Sequence, residues 1–239
     1  MGNIFYTSDQ HWGHPHVAAL RGFDDVQSHD DWMIERWTRF IGPKDTVFVL
    51  GDIAVQNPQR ALAIIGNLPG EKHLVAGNHD AAHPMHYRKF NRAFKDFSEV
   101  FATIAPMRQR KINGFPVMLS HFPFEAWGDG WERQGSRHNE WRLPDMGRPL
   151  LHGHTHGTER AHDNMFHVGI DAWAQPVPEA WVTEWLNVFH GPPEIRSDKM
   201  RLPVQFSTTP LCADCDQAVT LAGSEVKGKQ ILCLDCFGK

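Results

Sequence analysis

The 239-residue chain is 41% hydrophobic and 22% charged, with a net charge of −4 when histidine is neutral. Such a chain is long enough for one sizeable α/β domain plus a small appendage, and its charge is not that of a protein coated for non-specific binding to nucleic acid. No apolar run approaches the ~18 residues that span a membrane, no secretory signal is visible, and Tyr6 stands where a myristoylation pattern needs Ser or Thr; a cytoplasmic location is expected.

In chain order, short apolar runs each end in a polar cluster. Asn3–Ser8 leads into Asp9-Gln10-His11, Thr46–Leu50 into Gly51-Asp52, and Lys72–Ala76 into Gly77-Asn78-His79-Asp80. Runs of this length and composition, bounded by turn residues, predict buried strands. Between them, Asp30–Ile41 carries apolar residues at near-helical spacing, and Gln59–Ile65 follows Pro58, a favoured first-turn residue. Asn113-Gly114 predicts a hairpin between Lys111-Ile112 and Phe115–Leu119. Val117–Ser120 then leads into His121, and Leu150-Leu151 into His152-Gly153-His154-Thr155-His156. Alternating strands and helices give way to a hairpin, so an α/β fold with an antiparallel or mixed second half is expected.

Residues 122–149, rich in Gly, Trp and Arg, read as a long functional loop. Prolines at 192, 193, 203 and 210 predict a linker. The domains are therefore 1–190, a linker at 191–206, and a module at 207–239.

Sixteen histidines raise the prior for metal chemistry. Each polar cluster alone is a weak signal, since Gly-Asp is a common turn dipeptide and a lone histidine such as His121 is usually structural. The ordered set carries the weight, because ligands gather outside the carboxyl ends of strands in open α/β sheets. That set, Asp-x-His, Gly-Asp, Gly-Asn-His-Asp, a histidine after a strand, and Gly-His-Thr-His, resembles the five-block signature of calcineurin-like metallophosphoesterases. The likeness spans Asp9 to His156, and the small stand-alone bacterial and phage members are the nearest type.

The resemblance implies a four-layer α/β/β/α sandwich with two mixed sheets. It also implies a binuclear centre of Mn, Fe, Ni or Zn. Asp9, His11, Asp52 and His156 would hold one ion, and Asp52, Asn78, His121 and His154 the other. A hydroxide bridging the two would attack phosphorus. His79 would act on the leaving group without binding metal, with Asp80 either holding its ring or capping the next turn.

Other polar residues are left open. His14 and His16 read equally as pocket border or surface. His152 is expected to point into the core, and Asp171 to form a turn rather than line the rim. Arg133, Arg137, His138 and Asn139 read equally as substrate contacts or solvated residues. Trp127, Trp131 and Trp141 read as loop anchors ahead of base-stacking platforms.

At the C-terminus, Cys212-x-x-Cys215 and Cys233-x-x-Cys236, with seventeen residues between the pairs, match a structural zinc site of the zinc-ribbon kind. A redox role is the rival.

The activity expected is hydrolysis of phosphate esters, chiefly diesters. A phosphomonoesterase, a nuclease acting on nucleotides or nucleic acid, and an inactive binding scaffold are the alternatives. The diester expectation rests on two arginines found in the superfamily's Ser/Thr protein phosphatases, where this chain has Gln56 and Ala76, and on Val55 in place of an Asp. Arg21, Arg88 and Arg137 are the candidates to replace them.

Overall fold

The computed structural model describes residues 2–127, 137–190, 224–227 and 230–233. The elements run β1 (Ile4–Thr7), α1 (Pro15–Leu20), α2 (Val26–Phe40), β2 (Thr46–Val49), α3 (Pro58–Asn67), β3 (Glu71–Val75), α4 (Phe90–Ser98), β4 (Thr103–Ala105), β5 (Met107–Ile112) and β6 (Phe115–Ser120). Then come β7 (Leu150–His152), β8 (Ala161–His162), β9 (Met165–His167), α5 (Ile170–Trp173), β10 (Val177–Pro178), α6 (Glu179–His190), β11 (Ser224–Lys227) and β12 (Gln230–Cys233).

Two five-stranded sheets form, in the orders β10-β1-β2-β3-β4 and β5-β6-β7-β9-β8. Both are mixed: β1–β4 run parallel with β10 antiparallel, and β6, β7 and β9 run parallel with antiparallel β5 and β8 at the edges. The hairpin predicted at Asn113-Gly114 is present, with Ile112 opposite Phe115.

Strand alternation sorts the side chains between two cores. Phe5, Val47, Val49 and Leu74 pack with Met33 and Trp37 of α2, Ala61, Leu62 and Ile65 of α3, and Phe97 of α4. Their neighbours Tyr6, Phe48 and Val75 instead join Val117, Leu119, Leu151 and Phe166 of the other sheet, together with Trp181, Val182, Trp185 and Leu186 of α6. On the second sheet's other face, Met118, Leu150 and Met165 pack against Phe124 and Leu143.

Helix α2 differs at its start from expectation, while α3 begins with Pro58 in its first turn as expected. α2 starts at Val26 rather than Asp30, because the Asp25 side chain caps it by accepting from Ser28 N at 2.7 Å. α3 starts at Pro58, where Asn57 in the left-handed conformation accepts from Arg60 N at 3.2 Å. The predicted linker and nearly all of the cysteine module lie outside the described residues. β11 and β12 pair antiparallel, with Ser224 opposite Cys233.

Trp185 is fully buried, with its ring centroid 5.2 Å from that of Phe166. Trp185→Ala should therefore cost about 3–5 kcal/mol, measured by denaturant unfolding. A loss below about 1 kcal/mol, ordinary for a surface change, would contradict this packing.

Candidate metal centre

Five strand ends deliver the site. Asp9 and His11 follow β1, Asp52 follows β2, Asn78 and His79 follow β3, His121 follows β6, and His154 and His156 follow β7. Backbone pairing continues past the strands: Asp9 N donates to Gly51 O at 3.0 Å, His11 N to Asp52 O at 3.1 Å, and Gly153 N to His121 O at 3.0 Å. A parallel bridge between Ser8 and Gly169 joins the end of β1 to the segment after β9.

The loops are strained where the side chains converge. Ten non-glycine residues among those described have positive φ, and five of them are Asp9 (61°), His11 (50°), Asp52 (54°), His154 (74°) and His156 (54°). Each such residue costs about 1–3 kcal/mol and persists only where its surroundings enforce it. The glycines have a steric reason. A Cβ on Gly51 (φ 87°) would lie 2.5 Å from Gly77 N, and one on Gly77 would overlap the Asp52 carboxylate. The Gly-Asp and Gly-Asn-His-Asp loops can pass this closely only without those side chains.

Two trios of donors result, Asp9–His11–His156 and Asp52–His121–His154, each with ligand atoms within 4.8 Å of one another. Asn78 joins the second, its Oδ1 lying 3.1 Å from His121 Nε2. Asp52 of the second trio also faces the first, with Oδ2 3.4 Å from His121 Nε2 and 3.9 Å from His11 Nε2. Its Oδ1 accepts from His79 N at 2.9 Å. The structure thus brings all seven expected ligands to one place. His79 lies beside them, its Nε2 3.9 Å from Asp52 Oδ2.

These donors fit divalent cations. Two donors bound at right angles to one ion at about 2.1 Å sit about 3.0 Å apart. His11 Nε2 and His156 Nε2 are 3.0 Å apart, and His121 Nε2 and His154 Nδ1 are 3.1 Å apart. The outer ring nitrogens agree. His121 Nδ1 faces Leu50 O at 2.7 Å and His156 Nδ1 faces Asp171 Oδ2 at 3.0 Å, which places the proton outside and the lone pair inside. Burial opposes charge on His121, but the Asp52 carboxylate pushes its pKa up to about 9. Burial also works against the Asp52 carboxylate, yet His121 and His11 hold it well below the usual range.

Asp80 does not hold the His79 ring. Its Oδ2 accepts from Asp52 N at 2.9 Å and Gly77 N at 2.8 Å, and its Oδ1 from Ile53 N at 3.0 Å, so it stitches the two glycine loops together. Burial first, and the charge of Asp52 second, push its pKa up to about 7 against the pull of those N–H groups.

Asp171 is not the turn residue expected. It lies in α5 with its side chain 14% exposed, and accepts from Arg21 Nε at 2.8 Å and NH2 at 2.7 Å. Arg21 therefore lies beneath the site rather than over it. No local signal marks this pair, which is 150 residues apart in the chain.

Among the residues left open, His14 caps α1 through Nδ1 and lies 6.1 Å from the His11 ring, while His16 is exposed. His152 is buried, as expected, and stacks on His167 at 5.2 Å. Trp127 packs tilted against His162 at 4.0 Å and Trp141 packs edge-on against His83 at 4.8 Å, so both anchor the loop. His83, which sequence reasoning missed, is buried, and desolvation pushes its pKa down to about 4. His138 lies 6.3 Å from the His154 ring, Arg137 and Asn139 are exposed, and Trp131 and Arg133 fall outside the described residues.

The stitch generates a test. Asp80→Ala strands three buried N–H groups, each costing about 1–3 kcal/mol when unsatisfied. Metal-free protein should lose at least about 2 kcal/mol in denaturant unfolding. A loss below about 0.5 kcal/mol would contradict the role given to Asp80.

No family model matches the chain. The Gene 66 protein of Mycobacterium phage L5 is 35% identical over 205 residues, covering 80% of this chain and 97% of the phage protein. The Gene 66 protein of Mycobacterium phage D29 is 38% identical over 199 residues, covering 78% and 97%. Among solved structures, the protein of unknown function AQ665 from Aquifex aeolicus superposes with a TM-score of 0.58 at 22% identity, over 77% of this chain and all of that one. This last likeness is one of fold alone. With more than a third of residues shared over nearly the whole length of the phage proteins, this chain belongs to the family of the mycobacteriophage Gene 66 protein.

Proposed function

We propose that this chain is a binuclear metal-dependent hydrolase of phosphate esters, of the calcineurin-like type, that prefers diesters. The observation that carries this reading is that Asp52 Oδ2, within one donor trio, also faces His11 of the other. Asp9, His11, Asp52 and His156 would hold one ion, and Asp52, Asn78, His121 and His154 the other. Divalent cations held there supply the Lewis acidity that activates water and offsets charge on the phosphoryl oxygens. Two Asp, four His and one Asn leave the loaded site net positive, as an anionic ester requires. An intact donor set of this kind also speaks against an inactive scaffold.

His79 differs from the ligands in exposure. Its side chain is 41% exposed, against 31% for His156 and 3% for Asp52, so it is open to a substrate approaching the site. Its task in this reading is to give a proton to the leaving oxygen. His79→Ala should keep both metals and lower kcat by about 10²- to 10⁴-fold for an alkyl leaving group. The loss should be much smaller for a nitrophenyl ester, which needs no proton. Loss of a metal in elemental analysis would contradict this role.

The diester preference follows from charge. A monoester dianion calls for guanidinium clamps that a diester monoanion does not. Position 56 is an exposed Gln and position 76 a buried Ala. Arg21 is committed to Asp171 and to backbone carbonyls. Arg88 bonds Tyr87 on the surface. With Mn2+, a bis-aryl phosphate should be cleaved with higher kcat/KM than the matching aryl monoester. A clear monoester preference would reverse the reading and favour a phosphomonoesterase.

The same reading includes the four-layer sandwich, supported by the two-way sorting of strand side chains, and a cytoplasmic location. It also includes a zinc held by Cys212, Cys215, Cys233 and Cys236 in residues 207–239, supported by the paired Cys-x-x-Cys spacing.

A further inference from the structure

One buried guanidinium supports two donors of the same trio. Arg21 ends α1 and is 4% exposed. All five of its N–H groups have partners. Nε donates to Asp171 Oδ1 at 2.8 Å, and NH2 to Asp171 Oδ2 at 2.7 Å and Asp9 O at 2.6 Å. NH1 donates to Gln10 O at 3.1 Å and faces His29 Nε2 at 3.0 Å. One set of bonds clamps the main chain of Asp9 in its left-handed conformation. The other fixes Asp171, whose Oδ2 faces His156 Nδ1 at 3.0 Å.

The second trio is supported differently. His121 Nδ1 rests on Leu50 O, a neutral carbonyl, and Arg21 itself bonds none of His121, His154 and Asn78 among the contacts above. Its link to that trio is indirect, through the Asp9 carboxylate, which accepts from the main-chain N of His154 at 3.1 and 3.0 Å. A carboxylate behind a metal-binding imidazole raises its donor strength and fixes its ring. A buried ion pair is by itself a poor source of stability, so ligand geometry is the better account of why Arg21 and Asp171 lie there.

We propose that Arg21 and Asp171 are positioning residues that set the metal affinity of the Asp9–His11–His156 half-site selectively, an inference that rests on the binuclear reading above. The planar guanidinium fork is essential to it, since an ammonium cannot span the Asp9 carbonyl, the Gln10 carbonyl and both Asp171 oxygens at once.

Mn2+ binding to metal-stripped, full-length protein tests the proposal in two backgrounds. His154→Ala leaves the first trio intact, and His11→Ala leaves the second. Adding Asp171→Asn, which preserves shape, should weaken Mn2+ binding by about 10- to 100-fold in the His154→Ala background. In the His11→Ala background it should change binding by no more than about twofold. Arg21→Lys should show the same asymmetry. Equal losses in both backgrounds, or none in either, would overturn the proposal while leaving the binuclear reading intact. Failure of the wild type to bind Mn2+ would overturn the binuclear reading and this inference with it. Should Asp171→Asn not fold, the zinc-loaded wild type answers by NMR. The Nδ1 proton of His156 should give a downfield, slowly exchanging imidazole signal, and its absence would overturn the proposal.

Discussion

The buried carboxylate of Asp52, set between histidines delivered by two different sheets, constrains everything around it. To reach that position it follows β2 in a left-handed conformation, with its backbone against Gly77 and its side chain facing His11 on one side and His121 on the other. An unpaired carboxylate so buried would be costly. The imidazoles around it make its charged form tenable, and bound cations would do so more strongly. The glycines at 51 and 77, the carboxylate of Asp80 and the continued pairing of the loops all serve that convergence.

The strain has a consistent distribution. Half of the left-handed non-glycine residues described fall at the donors and none within the strands, whose alternating faces are committed to two hydrophobic cores. Rigid sheets set the spacing, and the short loops bend to aim the side chains. A second layer then locks the aim: Leu50 O behind His121, and the Arg21–Asp171 pair behind His156 and Asp9. Site and scaffold are therefore energetically linked, since loosening either would release the other.

Much of this was legible because its determinants are local. Each apolar run ending in Asp, Asn or His marks a strand end by itself, and the structure brings those residues together. What was not legible depends on distance or on one cap. Asp171 looks like any Asp after Gly169-Ile170 until Arg21, far away in the chain, is folded against it. The start of α2 was missed because Asp25, outside the apolar pattern, caps the helix. α6 carries a helical signal in Trp181, Val182, Trp185 and Leu186 that a strand-centred reading passes over. The role of Asp80 was not legible because its neighbour in sequence, His79, is not its partner in space; the backbone of Asp52, Ile53 and Gly77 is.

The central claim is that two cations share Asp52. Anomalous diffraction from crystals of the full chain grown with Mn2+ tests it most directly. The account predicts two manganese peaks flanking Asp52, one beside Asp9, His11 and His156 and the other beside Asn78, His121 and His154. A single peak, or none at these residues under saturating Mn2+, would contradict it.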